Sequence, residues 1–139
     1  MQTILLDSSI FLDYLLETEK RKTARVVVMD ILSGKNQGVL SAIALTEIKY
    51  RIMKLFGHDK AEEAIFLIKN SSNLKIVPMS EEIAENAADV RFKYYGRNKN
   101  EMSYADAIHI ATALKVKCDM IITSDADFEP VSEIKVQIY

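Results

Sequence analysis

Four acidic residues in the 139-residue sequence stand at points from which a folded chain can gather them. Asp7 directly follows the apolar run 4–6, and Asp125 follows the run 120–123 with Asp127 just beyond. Asp106 opens one helical pattern, and Glu47 lies early in another. Carboxylates brought together repel, and each raises the pKa of the others unless a cation joins them. Convergence would therefore call for a metal. Oxygen ligands without histidine or cysteine suit Mg2+ or Mn2+, hard cations that keep several waters and bind substrate phosphate directly. Such an ion acidifies a bound water, aligns it with the leaving oxygen and neutralises charge developing on the phosphoryl group. The chemistry so implied is phosphodiester hydrolysis.

Taken singly, the same acids have ordinary structural roles. Asp7 and Asp106 can cap helices, Glu47 can pair with Arg51 four residues on, and Asp125 can form a turn. The choice between the two readings rests on the elements that carry them.

Residues 4–6 read as a short buried strand that stops at Asp7-Ser8-Ser9, with a helix over residues 10–16. A second helix covers residues 20–33, where Ala24, Val27, Val28, Ile31 and Leu32 keep helical spacing despite a β-branched run, and Gly34 closes it. Residues 38–41 form a second strand. Leu45, Ile48, Ile52 and Leu55 then mark the apolar stripe of a third helix, which Gly57 ends. Asp59-Lys60-Ala61-Glu62 resembles a capping box that opens a fourth helix, running to residue 69. A strand over residues 74–77 stops at Pro78, and Ser80 caps a fifth helix with Glu81 and Glu82 in its positive first turn. That helix fades through Tyr94-Tyr95-Gly96 into a polar loop, and Ser103 starts a sixth helix with a capping-box pattern. Strands over residues 120–123 and 134–138 complete the series.

Short apolar strands alternating with helices indicate an α/β fold with a mostly parallel sheet, and residues 1–139 have the length of one domain. In such sheets ligands bind outside the carboxyl ends of the strands. Asp7, Asp125 and Asp127 fall at that edge. Asp106 joins them where its helix starts at the same edge, which requires residues 96–102 to recross the sheet; seven extended residues reach roughly 23 Å. Glu47 lies near the edge but roughly 120° from the centre of its helix's apolar stripe.

Composition excludes several classes. Hydrophobic residues make up 49% and charged residues 27%, the proportions of a globular chain rather than a disordered one. No window approaches a membrane span, and the first residues lack the pattern of a secretion signal, so the expected location is the cytoplasm. Cys118 is alone, and neither His58 nor His109 has a cysteine at zinc-like spacing. A net charge of −2 argues against binding through a globally positive field, though a local basic patch remains open.

The motifs Leu-Leu-Asp-Ser-Ser around Asp7, Ser-Ala-Ile-Ala-Leu-Thr-Glu ending at Glu47, Tyr-Ala-Asp-Ala-Ile-His-Ile-Ala-Thr-Ala around Asp106 and Thr-Ser-Asp-Ala-Asp-Phe around Asp125 are short. Their order and spacing are nonetheless specific. Together they resemble the PIN-domain family over nearly the whole chain, in particular the VapC-type toxin ribonucleases of type II toxin-antitoxin systems. The resemblance implies a three-layer α/β/α domain with five strands in the order 3-2-1-4-5. It also implies homodimerisation and, for the toxins, a small antitoxin that blocks the site. By the same resemblance Asp7, Glu47, Asp106 and Asp125 are the acidic metal-binding and catalytic set for Mg2+ or Mn2+. Thr123 and Ser9 are polar groups beside it, and Asp127 is an optional outer ligand. Family members often carry asparagine where this chain has Ser9, a shorter side chain without amide donors.

Other features have two readings. Basic residues at Lys20-Arg21-Lys22, Arg25, Lys49, Arg51, Arg91 and Lys93 read mostly as solvated helix faces, whereas Arg97 and Lys99 precede Asp106 and are the favoured contacts to RNA phosphate. Tyr94, Tyr95 and Tyr104 can stack on unpaired bases or pack in the core or a dimer. His109, a turn after Asp106, reads first as a packed histidine and second as a partner of the site. The leading function is a metal-dependent endoribonuclease acting as a toxin. An RNA-processing nuclease outside a toxin pair and a non-catalytic binding or oligomerisation module stay open. A phosphoacceptor receiver would need an aspartate closing the third strand, which closes instead in Val77-Pro78-Met79.

Overall fold

A computed structural model describes all 139 residues. The strands β1 (Thr3–Leu6), β2 (Gln37–Ser41), β3 (Leu74–Val77), β4 (Met120–Thr123) and β5 (Lys135–Ile138) form one sheet in the order β3-β2-β1-β4-β5, with every pairing parallel. The helices are α1 (Ser8–Leu15), α2 (Arg21–Leu32), α3 (Ala42–Phe56), α4 (His58–Lys69), α5 (Glu81–Tyr94) and α6 (Tyr104–Lys115). The expected α/β class and strand order are both present.

Strand alternation divides the core in two. Ile4, Leu6, Leu40, Met120 and Ile122 face a cluster built with α1, α2, α3 and α4, whereas Leu5, Val39 and Ile121 face a second cluster with α5 and α6. The central strands are therefore apolar on both faces, as a covered parallel sheet requires. The same alternation decides where the chain's polar residues go once the apolar runs end. Asp7 and Thr123 continue the parity of Leu5 and Ile121, so their side chains leave the sheet on the α6 side.

Three expectations need correction. The segment before α6 does not recross the sheet. Helices α5 and α6 run antiparallel, because Lys115 near the end of α6 pairs with Glu82 at the start of α5, and Arg91 near the end of α5 donates to the Met102 carbonyl. Helix α5 itself returns the chain to the site edge, and residues 96–102 fold up there as a compact loop containing the 3-10 turn Arg97–Lys99. Second, Asp59 does not cap α4. The helix starts at His58, two residues before the start that an Asp59 cap would give, and its N-cap is Gly57 at φ 90°, ψ 174°, a conformation nearly closed to other residues. Asp59 sits in the first turn, where a negative charge meets the positive end of the helix. Third, Leu55 is exposed. The buried stripe of α3 is Ala44, Ile48 and Ile52, and its last turn runs beyond the core.

Leu5 is fully buried on the central strand. Its replacement by alanine is expected to lower unfolding free energy by about 2–5 kcal/mol in urea titrations; a loss of under about 1 kcal/mol would contradict this core assignment.

Candidate metal centre at the carboxyl edge of the sheet

The site begins where β1 and β4 end. Asp7 is the N-cap residue of α1, yet its side chain makes no capping hydrogen bond. Instead it is buried on the α6 side, where the Thr123 hydroxyl donates to its Oδ2 at 2.8 Å. That hydroxyl in turn accepts the Asp125 N–H at 3.0 Å, so one threonine couples the acids that follow two adjacent strands. Asp125 Oδ1 accepts the Asp127 N–H at 2.8 Å, the turn role open to it from sequence. Ser9 Oγ accepts the Ser124 N–H at 3.1 Å and ties the start of α1 to the same turn.

Asp106 arrives on the first turn of α6. Ser103 Oγ accepts the Asp106 N–H, and Asp106 Oδ2 accepts the Ser103 N–H, each at 3.0 Å, forming a reciprocal capping box. The aspartate thus fills its structural role with one oxygen and keeps the other for the site.

Glu47 does not pair with Arg51. It reaches across from α3 to His109 on α6, whose Nε2 lies 2.7 Å from Glu47 Oε1 and 3.4 Å from Asp7 Oδ1. One ligand atom each from Asp7, Glu47 and His109 lies within 4.8 Å of the others, and the same holds for Asp106, Asp125 and Asp127. The predicted acids therefore come together as two adjoining groups, with Asp127 belonging to the second.

The electrostatics reflect crowding. Burial, and then the charges of Asp125 and Asp7, push the Asp106 carboxyl up to about 6, against the opposing hydrogen bonds from Ser103. Burial, followed by Asp127 and Asp7, likewise raises Asp125. Burial pulls His109 down, but the hydrogen bond to Glu47 and the charges of Asp7, Glu47 and Asp106 hold it above its ordinary value. No salt bridge from a lysine or arginine reaches any of the five acids.

Sequence reasoning missed two further residues. Asn100 is buried, donates to the Asp127 carbonyl at 2.7 Å and accepts the Met102 N–H at 2.8 Å, fastening the loop before α6 onto the turn after β4. Its signal is faint, one asparagine in a polar run. Tyr139 donates to Asp13 at 2.7 Å, tying the end of the chain to α1. Arg97 and Lys99 are exposed and line a groove of about 810 Å3 that also touches Asp127. Tyr94 is buried, whereas the exposed Tyr95 and Tyr104 each lie 4.2 Å from the Arg91 guanidinium.

The PIN domain profile matches residues 4–134, and the chain belongs to that family. Its fold is shared with VapC20 of Mycobacterium tuberculosis, described as a sarcin-ricin loop cleaving toxin. The TM-score is 0.76 at 20% identity, over 91% of this chain and 93% of that one. It is also similar to a chain of VapBC2 from Rickettsia felis, crystallised on a promoter DNA fragment, with TM-score 0.73, 15% identity and 98% of each chain covered. A toxin-antitoxin complex from Klebsiella pneumoniae gives TM-score 0.67 and 23% identity over 94% of each chain. No curated protein matches by sequence. No helix is long and apolar enough to cross a membrane.

A carboxyl whose folded pKa is raised holds its proton more tightly than the unfolded chain does, so its contribution to stability is lost as pH rises. For Asp106 that window runs from its ordinary 3.8 through about 6. Asp125 and His109, both raised, act in the same direction. In chelator, the melting temperature is expected to fall between about pH 4 and pH 7. Asp106→Asn, which keeps an oxygen for the Ser103 N–H, should flatten the lower part of that fall; an unchanged slope would contradict the assignment.

Proposed function

We propose that this protein, acting as a single domain, is an Mg2+- or Mn2+-dependent endoribonuclease and the toxin of a toxin-antitoxin pair. The observation that carries the reading is the gathering of five carboxylates at one sheet edge with no lysine or arginine to neutralise them. His109 serves Glu47 and lies beside Asp7, but Asp106, Asp125 and Asp127 have no basic partner, and such a group is suited to a cation.

The donor set favours a hard ion. Ionised Glu47 can only accept, so His109 Nε2 carries the hydrogen between them and offers no lone pair. What remains is oxygen, from Asp7, Asp106 and Asp125, with Glu47 beside them and Asp127 as an outer contributor. A bound Mg2+ or Mn2+ would acidify a water and balance the charge of the phosphodiester under attack. Thr123 holds Asp7 in one orientation, and Ser103 does the same for Asp106. Arg97 and Lys99, beside Asp127, are the proposed contacts to RNA phosphate.

The toxin assignment and an antitoxin partner are supported by the shared fold with proteins solved as toxins or toxin-antitoxin complexes, and a homodimer is proposed from the family resemblance alone. Expression in a bacterial host, with sequencing of RNA 5′ ends, tests the activity: new discrete ends and growth arrest are expected. Asp7→Asn should reduce Mn2+-dependent cleavage at least about a hundredfold, or about 2.7 kcal/mol of barrier. Cleavage that persists in Asp7→Asn or in excess EDTA would overturn the site. Arg97→Ala and Lys99→Ala should instead weaken RNA binding and shallow its salt dependence; binding unchanged in both would remove them from the RNA surface.

A further inference from the structure

His109 is wholly buried, although half of its hydrogen-bonding capacity goes unmet. Its Nδ1 and the Ser41 hydroxyl are the two buried side-chain polar atoms without a partner. The register that sets Leu5 beside Val39 puts Asp7 and Ser41, two residues on, at the same face of adjacent strands. A side chain kept only to fill this space would be better apolar, since burying an unpaired polar atom is unfavourable. The imidazole is explained by its one strong bond, to Glu47.

Glu47 needs that bond. It is partly exposed on α3, a helix whose buried stripe is Ala44, Ile48 and Ile52, and nothing else fixes its carboxylate toward the sheet edge. Arg51, the partner available along its own helix, does not take it. His109 Nε2 sits between Glu47 Oε1 at 2.7 Å and Asp7 Oδ1 at 3.4 Å, and so joins an acid of α3 to the acid after β1.

We propose that His109 is a positioning residue for the metal centre: its Nε2–H holds the Glu47 carboxylate beside Asp7 and thereby makes an acid of α3 part of a site otherwise built at β1, β4 and α6. The inference rests on the metal-binding reading given above. His109 touches neither substrate nor the reacting atoms; it acts through Glu47. Glutamine can present an amide N–H near the position of Nε2, whereas methionine fills similar space without a donor.

Calorimetric titration with Mn2+ alone, without RNA, tests this in the whole protein. His109→Met is expected to weaken Mn2+ binding about tenfold, and His109→Gln to restore most of it. In a Glu47→Ala background, His109→Met should add less than about a twofold effect. Equal weakening in both backgrounds, or wild-type affinity in His109→Met, would overturn the proposal. The wild-type protein gives an independent reading through the 15N shifts of the His109 ring. Nε2 should be protonated and its signal should move on Glu47→Ala; a bare Nε2 or an unmoved signal would refute the hold on Glu47. If wild-type protein binds no Mn2+, the metal reading falls, and the ring shifts still decide whether His109 grips Glu47.

Discussion

Like charge held close together at a half-buried edge is the constraint around which this molecule is built. Asp7 and Asp106 are buried, and Asp125 and Asp127 are only partly exposed. No lysine or arginine is paired with them. Burial first, and then the charges of Asp125 and Asp7, make Asp106 harder to ionise and push its carboxyl up to about 6. A fold that tolerates this without a cation must supply dipoles, and it does so through the Thr123 hydroxyl and the backbone N–H groups of Ser103 and Asp127. These hydrogen bonds fix orientation but do not cancel charge, and the cluster they leave is one that could hold a metal ion.

The rest of the structure serves that edge by rigidity. The central strands are covered on both faces, so the ends of β1 and β4 are held by buried Leu6, Ile121 and Ile122. The antiparallel pair α5 and α6 brings Asp106 to the same edge with a short loop, and Asn100 fastens that loop to the turn carrying Asp127. The positive backbone angles of Asn98 and Lys99 make the loop tight. Every acid of the proposed site is thus carried on a strand end, a helix turn or a tethered turn, never on a free loop.

Much of this was legible in the residues. Apolar runs ending in Asp7 and in Thr123-Ser124-Asp125 fixed two strand ends, and Ser80 and Ser103 announced their helices by capping chemistry that the structure shows. The strand order rested on the family motifs, because spacing alone does not rank parallel strands. What failed were judgements on tertiary context. Asp59 had the pattern of a cap, but Gly57 could take a backbone conformation that moved the cap and the start of α4 two residues earlier. Leu55 kept the helical period past the point where the core ends. The direction of α5 was invisible because periodicity says which face is buried, not which way a helix runs. Glu47 and His109 lie 62 residues apart, and no local rule pairs them.

The central claim is that these acids bind divalent metal at the sheet edge, and anomalous diffraction from a crystal soaked in Mn2+ tests it most directly. The account predicts an anomalous peak bounded by Asp7, Asp106 and Asp125, ligated by oxygen alone, with His109 outside its coordination sphere. A crystal with Mn2+ bound only elsewhere, or with none at this edge under saturating Mn2+, would contradict it.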